Sequence, residues 1–170
     1  MHPHAHSFRW PCVWIFSNSP DKRTFIMDDA NVTYAREIVA RDPMASFLGI
    51  RLEEVRRAYS RLSVEIRPEY LNSHERAHGM ILSSVIDQAA AVAANSMGDD
   101  VLLVELKINY LAAAAPGERI TAEARPVDIK RALSLWTVEV HGASGTLVAT
   151  GQALGYHRPR EKKEMKKGGR

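Results

Sequence analysis

The chain has 170 residues, 45% hydrophobic and 25% charged, which is ordinary material for one globular domain able to bury a core. Its net charge of +3 comes from one end: His157 to Arg170 carries seven Lys or Arg against two Glu, leaving −2 for the remainder. That distribution gives no nucleic-acid-binding face, no apolar run is long enough for a membrane span, and the single cysteine, Cys12, excludes an intramolecular disulfide and fits a reducing, cytoplasmic setting.

Residues 1–26 cluster His2, His4 and His6, then an apolar run from Trp10 to Phe16, with no sustained helical or strand period. No small-residue cleavage site of a secretory signal follows that run. The three histidines have no carboxylate or cysteine at ligand spacing, so no metal is expected there. The expectation is an irregular N-terminal extension outside the native functional chain, one domain over residues 27–157, and a basic, disordered tail over 158–170.

Regular structure begins with Asn31 as the N-cap of a helix through Arg41, ended by Pro43, and a short helical turn over Met44 to Leu48 before Gly49. Ile50 to Arg56 alternates weakly as a strand. Between Ser60 and Arg67, Ser60, Leu62, Val64 and Ile66 point one way and Arg61, Ser63, Glu65 and Arg67 the other, the pattern of a half-exposed antiparallel strand. Pro68 breaks it, and a loop runs on through Arg76.

From Met80 to Ala94 there is neither proline nor glycine, and Ala, Val, Ile and Leu cover nearly the whole circumference of about four helical turns. Such a helix is buried on most sides, yet Asp87 sits in its middle. A carboxylate there must be paired, hydrogen-bonded or facing a cleft. Ser84, Asp87 and Gln88, at i, i+3 and i+4, also fit a solvated face, and both readings stay open on pattern alone. Just before the helix stands His78-Gly79. Free backbone N–H groups and the positive dipole end make that turn a site for a developing oxyanion, and Gly79 lets a ligand approach closely.

Asn95-Ser96-Met97-Gly98 stops the helix, and four strand-like runs follow in quick succession. Leu102, Val104, Leu106, Ile108 and Tyr110 alternate with Leu103, Glu105, Lys107 and Asn109; Ile120, Ala122 and Ala124 alternate with Arg119, Thr121, Glu123 and Arg125 up to Pro126, which marks a bulge or an edge; Leu133 to Val140 and Leu147 to Tyr156 complete the set. Two strands, one long helix and four strands make an α+β domain in which a curved antiparallel sheet wraps around the helix. No nucleophile elbow, phosphate loop or dinucleotide fingerprint is present.

Over roughly Asp42 to Tyr156 the chain resembles the hotdog-fold acyl-CoA thioesterases of the phenylacetic acid degradation type. The resemblance is carried by Met44-Ala45, Leu48-Gly49-Ile50, Leu71-Asn72, His78-Gly79, Asp87 with Ala89 and Ala91, Asn95-Ser96, Ile108-Asn109-Tyr110-Leu111, Gly117 with Thr121-Ala122, and Val138-Glu139-Val140, taken in order and spacing. It implies hydrolysis of an aryl- or medium-chain acyl-CoA, with no cofactor beyond the coenzyme A of the substrate and no metal. It implies a homodimer or homotetramer whose active site lies across the dimer interface. The Gly79 N–H would polarise the thioester carbonyl, and Asp87 of the facing subunit would act as general base or as nucleophile. Asn72 and His78 would shape the loop before the helix and orient water, while Met80, Ser84, Gln88 and Tyr110 would line the substrate.

Three departures from that family pattern stand out. Met80 replaces a second glycine after His-Gly, Gln88 replaces a small hydroxyl residue after Asp and could orient water instead, and Ala112-Ala113 stands where an Arg-Pro is common. These departures also suit an alternative, a non-catalytic acyl-CoA or acyl-carrier binding protein of the same fold.

Overall fold

The computed structural model describes residues 29–159. The N-terminal extension with Cys12, the proposed start near Met27 and nearly all of the basic tail lie outside the described residues.

Helix α1 (Ala30–Glu37) is capped by Asp29, whose side chain accepts the Asn31 N–H at 3.0 Å, so the cap stands two residues earlier than the pattern suggested. A 3-10 turn over Val39–Arg41 follows, then α2 (Pro43–Phe47). Pro43 therefore opens a helix as well as closing one. Asp42 before it is held extended, which ends the first helix, while proline at the first helical position lacks only an N–H that would have no partner there.

Strands β1 (Arg51–Arg56) and β2 (Tyr59–Glu65) form a hairpin, and a 3-10 turn over Pro68–Tyr70 begins the loop that leads into α3 (Gly79–Asn95). Beyond α3 come β3 (Asp100–Tyr110), β4 (Arg119–Ile129), β5 (Leu133–His141) and β6 (Leu147–Arg158). All six strands join one antiparallel sheet in the order β1-β2-β4-β5-β6-β3, so β1 and β3 are its edges. The register shift between Pro126 and Asp128 is the bulge that Pro126 signals.

One alternation is corrected. In β3 the register shifts between Leu103 and Glu105, and the extra residue moves Leu102 and Val104 off the helix-facing side, where Val101 and Leu103 take their places. Only Leu106, Ile108 and Tyr110 keep the expected direction.

The core lies between the concave side of the sheet and α3. Ile81, Leu82, Val85, Ile86, Ala89, Ala90, Val92, Ala93 and Ala94 of the helix meet Leu62, Val64, Ile120, Ala122, Trp136, Val138 and Val140 of the strands, all buried. Each large aliphatic side chain removed from water contributes roughly 1.5–3 kcal/mol. Close approach depends on small residues opposite the helix, above all Gly151 on β6, where a Cβ would run into the Ile86 side chain. One stripe of α3 stays open: Met80, Ser84, Asp87 and Ala91 are exposed or half-buried. Gly151→Ala is expected to lower stability by about 1–3 kcal/mol through overpacking against Ile86, measured as a reduced urea midpoint.

Candidate active site

The loop before α3 is tied down at several points. Leu71 and Ala77 form an isolated antiparallel bridge, the Ala77 N–H donates to the Ala114 carbonyl at 3.0 Å, and the His78 N–H donates to the Tyr70 carbonyl at 2.7 Å. Between these points the chain reverses through Glu75 at φ 55°, and the Asn72 side-chain oxygen accepts the N–H groups of His74 (2.9 Å) and Arg76 (3.2 Å). The Asn72 carboxamide oxygen is thus bonded inside the loop and braces its turn.

This clamp delivers His78 in an extended conformation as the N-cap of α3, with Nδ1 accepting the Met80 N–H at 3.1 Å. An accepting Nδ1 assigns the proton of the neutral ring to Nε2. The Gly79 N–H has no acceptor among the described residues. Of the first two N–H groups of the helix, one is used by a side chain and the other is open.

Tyr110 closes one side of this turn. Its ring stands so near that a Cβ on Gly79 would lie 3.1 Å from Cζ and 3.2 Å from the hydroxyl oxygen, so any side chain there requires the ring to shift slightly. Ser83 donates to the Gly79 carbonyl at 2.9 Å and stands 2.8 Å from the Tyr110 hydroxyl, itself 3.3 Å from that carbonyl. Ser84 donates to the Met80 carbonyl at 2.8 Å. Met80 is 72% exposed and Tyr110 55%, so both are available to a ligand.

Asp87 lies on the same open stripe but eight residues on, about 12 Å along the helix axis. No described residue gives it a hydrogen bond or an ion pair. Its carboxyl pKa is raised from its ordinary value, first because surrounding protein strips water from it and second because of the negative charge of Asp42. Gln88 is a correction to the sequence reading. It is buried, and its amide donates to the Val39 carbonyl at 2.6 Å, fastening the 3-10 turn to α3 instead of facing water beside Asp87. Asp42 is a charged neighbour the sequence did not reveal, because it belongs to a different element, as the N-cap of α2.

His78, Gly79, Met80 and Tyr110 therefore gather at the first turn of α3 with Ser84 one turn on, while Asp87 of the same chain stands too far along to share a reacting atom with Gly79. A Ser-His-Asp chain does exist at the opposite end of the molecule, where His157 lies 2.8 Å from Ser134 Oγ and 3.1 Å from Asp99. Ser134 is 1% exposed and also accepts from the Trp136 indole at 2.7 Å, which makes this chain a buried clasp beyond the reach of substrate. Among the described residues no three His, Cys, Asp or Glu side chains group closely enough to hold a metal ion.

Residues 74–149 match the Thioesterase superfamily. A protein of Archaeoglobus fulgidus, provisionally named an esterase, is 31% identical over 115 residues, 68% of this chain and 75% of that protein. The acyl-coenzyme A thioesterase PaaI of Escherichia coli K12 is 26% identical over 106 residues, 62% of this chain and 76% of its own. The solved structure of the PaaI protein from the E. coli phenylacetic acid degradation operon superposes with a TM-score of 0.73 at 22% identity, covering 76% of this chain and 95% of that one, a likeness of fold. The chain belongs to the thioesterase superfamily. It is a thioester hydrolase by class, built on the hotdog fold.

Asp87 also makes a stability prediction. Folding raises its pKa, so the charged form opposes folding: the penalty is absent below the unfolded pKa and complete above the folded one. Asp87→Asn is expected to melt above the wild type at neutral pH, with the gap closing as the pH falls below the carboxylate range. Thermal melts from about pH 3 to pH 8 measure it.

Proposed function

We propose that this chain hydrolyses aryl- or medium-chain acyl-CoA thioesters in a homodimer or homotetramer, at sites each shared by two subunits. The observation that carries this reading is the open N–H of Gly79 and the unpartnered carboxylate of Asp87, set on one exposed stripe of α3. An oxyanion donor must lie about 3 Å from the carbonyl oxygen it stabilises, and a base within hydrogen-bond reach of the attacking water. At about 12 Å apart, the two groups of one chain do not meet on one thioester. Two α3 helices packed antiparallel across a two-fold axis bring Gly79 of each subunit beside the carboxylate of the other, and an isologous interface does this twice.

In this scheme Asp87 takes a proton from water as the water oxygen attacks the thioester carbon. Negative charge on the carbonyl oxygen is met by the Gly79 N–H. The tetrahedral intermediate collapses with loss of the C–S bond, and the departing thiolate receives the proton from Asp87. A carboxyl pKa raised toward working pH suits a general base, because proton affinity and ionisation must both be adequate. Tyr110 and Met80 present an apolar wall to the acyl group, with Ser84 on the way to Asp87. Coenzyme A as the thiol follows from the E. coli relative's name, and the scheme needs no metal or further cofactor. An exposed β3 edge bearing Leu102 and Val104 supports assembly, since bare sheet edges are generally covered. The lone cysteine suits a reducing cytoplasm, and among the described residues no helix is long and apolar enough to cross a membrane.

Release of coenzyme A from phenylacetyl, hydroxyphenylacetyl, benzoyl and straight-chain thioesters tests the reading and ranks the acyl groups. Asp87→Asn is expected to lower turnover by about 10²-fold or more. Gly79→Pro removes the N–H while keeping an allowed first helical residue, and Gly79→Ala adds the same Cβ but retains the N–H. Proline should fall about 10²–10³-fold below alanine. Mixed oligomers of Asp87→Asn with Gly79→Pro should regain activity, because one of their two sites then has both groups intact. Wild-type turnover by Asp87→Asn would rule out its role, and silent mixtures that demonstrably exchange subunits would rule out the shared site.

A further inference from the structure

Around Gly79 the backbone is held on every side, and its own N–H alone is left open among the described residues. Before it, the His78 N–H donates to the Tyr70 carbonyl at 2.7 Å, and the His78 carbonyl accepts the Ile81 N–H at 3.1 Å. After it, the Met80 N–H donates to His78 Nδ1 at 3.1 Å. The Gly79 carbonyl meets two side-chain hydroxyls, Ser83 Oγ at 2.9 Å and Tyr110 Oη at 3.3 Å, and these stand 2.8 Å from each other. No step of the scheme above uses Ser83 or the Tyr110 hydroxyl.

Helix geometry does not require this triangle. The regular partner of the Gly79 carbonyl is the Ser83 N–H four residues on, so the two hydroxyls come in addition to the helix's own bond. Each hydroxyl has one hydrogen to give. The 2.9 Å contact takes the Ser83 hydrogen to the Gly79 carbonyl, and Tyr110 then donates to Ser83 Oγ. The result is a chain of hydrogen bonds from the end of β3 to residue 79. Glycine has the widest backbone freedom of any residue, and a donor at an oxyanion site is effective only when it is aimed before the charge develops. A carbonyl fastened by groups on two different elements removes that freedom.

We propose that Ser83 and Tyr110 are positioning residues for hydrolysis: their hydroxyls, joined to each other and to the Gly79 carbonyl, stop residue 79 from rotating and keep its open N–H aimed at the thioester oxygen. The proposal rests on the reading of Gly79 as oxyanion donor. Ser83 is half-buried with its hydroxyl committed to the carbonyl, so it acts through Gly79. Tyr110 has two parts with two tasks, since the ring forms the wall toward the acyl group and the hydroxyl braces the turn.

Ser83→Ala and Tyr110→Phe each remove one hydroxyl, and the second keeps the ring. Ser83→Thr keeps a hydroxyl able to bond the carbonyl four residues back. Steady-state kinetics of the full chain are measured for each, beside Gly79→Ala and Gly79→Pro, with melting curves to establish folding. In Ser83→Ala and Tyr110→Phe, kcat is expected to fall about tenfold with KM within about twofold of wild type, and Ser83→Thr should recover most of the loss. The double variant should lose less than the product of the single losses, because both hydroxyls act on one carbonyl. In the Gly79→Pro background no N–H is left to aim, so there the same changes should alter turnover by less than about twofold, whereas a merely structural brace would matter equally in both backgrounds. Wild-type kcat in both single variants, or equal losses with and without the Gly79 N–H, overturns the proposal. If Gly79→Pro falls below Gly79→Ala while Ser83→Ala and Tyr110→Phe keep the wild-type rate, only the hydroxyl pair loses its role; if Gly79→Pro equals Gly79→Ala, the reading of Gly79 itself falls.

Discussion

An α-helix leaves its first N–H groups without internal partners, and how a fold satisfies them decides what its N-terminus can do. In this chain the deficit is met selectively. The loop from Leu71 to Ala77 is bonded to itself and to Ala114, so His78 arrives with its backbone held by Tyr70 and its ring turned onto the Met80 N–H. The Gly79 N–H remains open beside the Tyr110 ring, in space that a side chain on residue 79 would take. Loop, cap and strand β3 all serve that one vacancy.

The same helix has two demands that conflict. Its buried faces require close packing against small residues of the sheet, with Gly151 yielding to Ile86, whereas its open stripe keeps a carboxylate that burial disfavours. Retaining Asp87 there trades some stability for a group whose proton affinity is raised, the usual relation between a stable fold and a reactive site. Gln88 sits at the boundary between the two demands: one residue from Asp87, it is buried and bonded to Val39, so adjacent positions of one helix face the core and the open stripe.

Distance sets the level at which the function is assembled. Helical rise separates Gly79 from Asp87 by about 12 Å, and no rotamer closes such a gap. A single chain holds an open N–H and a carboxylate on one stripe of α3, too far apart to meet on one small group. In the proposed function a second copy supplies the complement, and the uncovered β3 edge and the open α3 stripe are then parts of one surface.

Most of the architecture was legible in the chain itself. The absence of proline and glycine from Met80 to Ala94, the apolar circumference of that run and the alternation of the later strands determine one buried helix against an antiparallel sheet, because burial periodicity is a local property of sequence. The place of His78-Gly79 at the helix start was legible for the same reason, and a helix start creates free N–H groups wherever it falls. What the sequence left undecided depends on contacts between distant residues. The slip in β3 that turns Leu102 and Val104 outward is set by pairing with β6, the burial of Gln88 by a carbonyl forty-nine positions away, and the influence of Asp42 on Asp87 by the packing of a different element. Periodicity specifies which face of an element is apolar; only the packed tertiary structure decides which groups from other elements come to stand beside it, because those distances are fixed by register and packing and not by spacing along the chain.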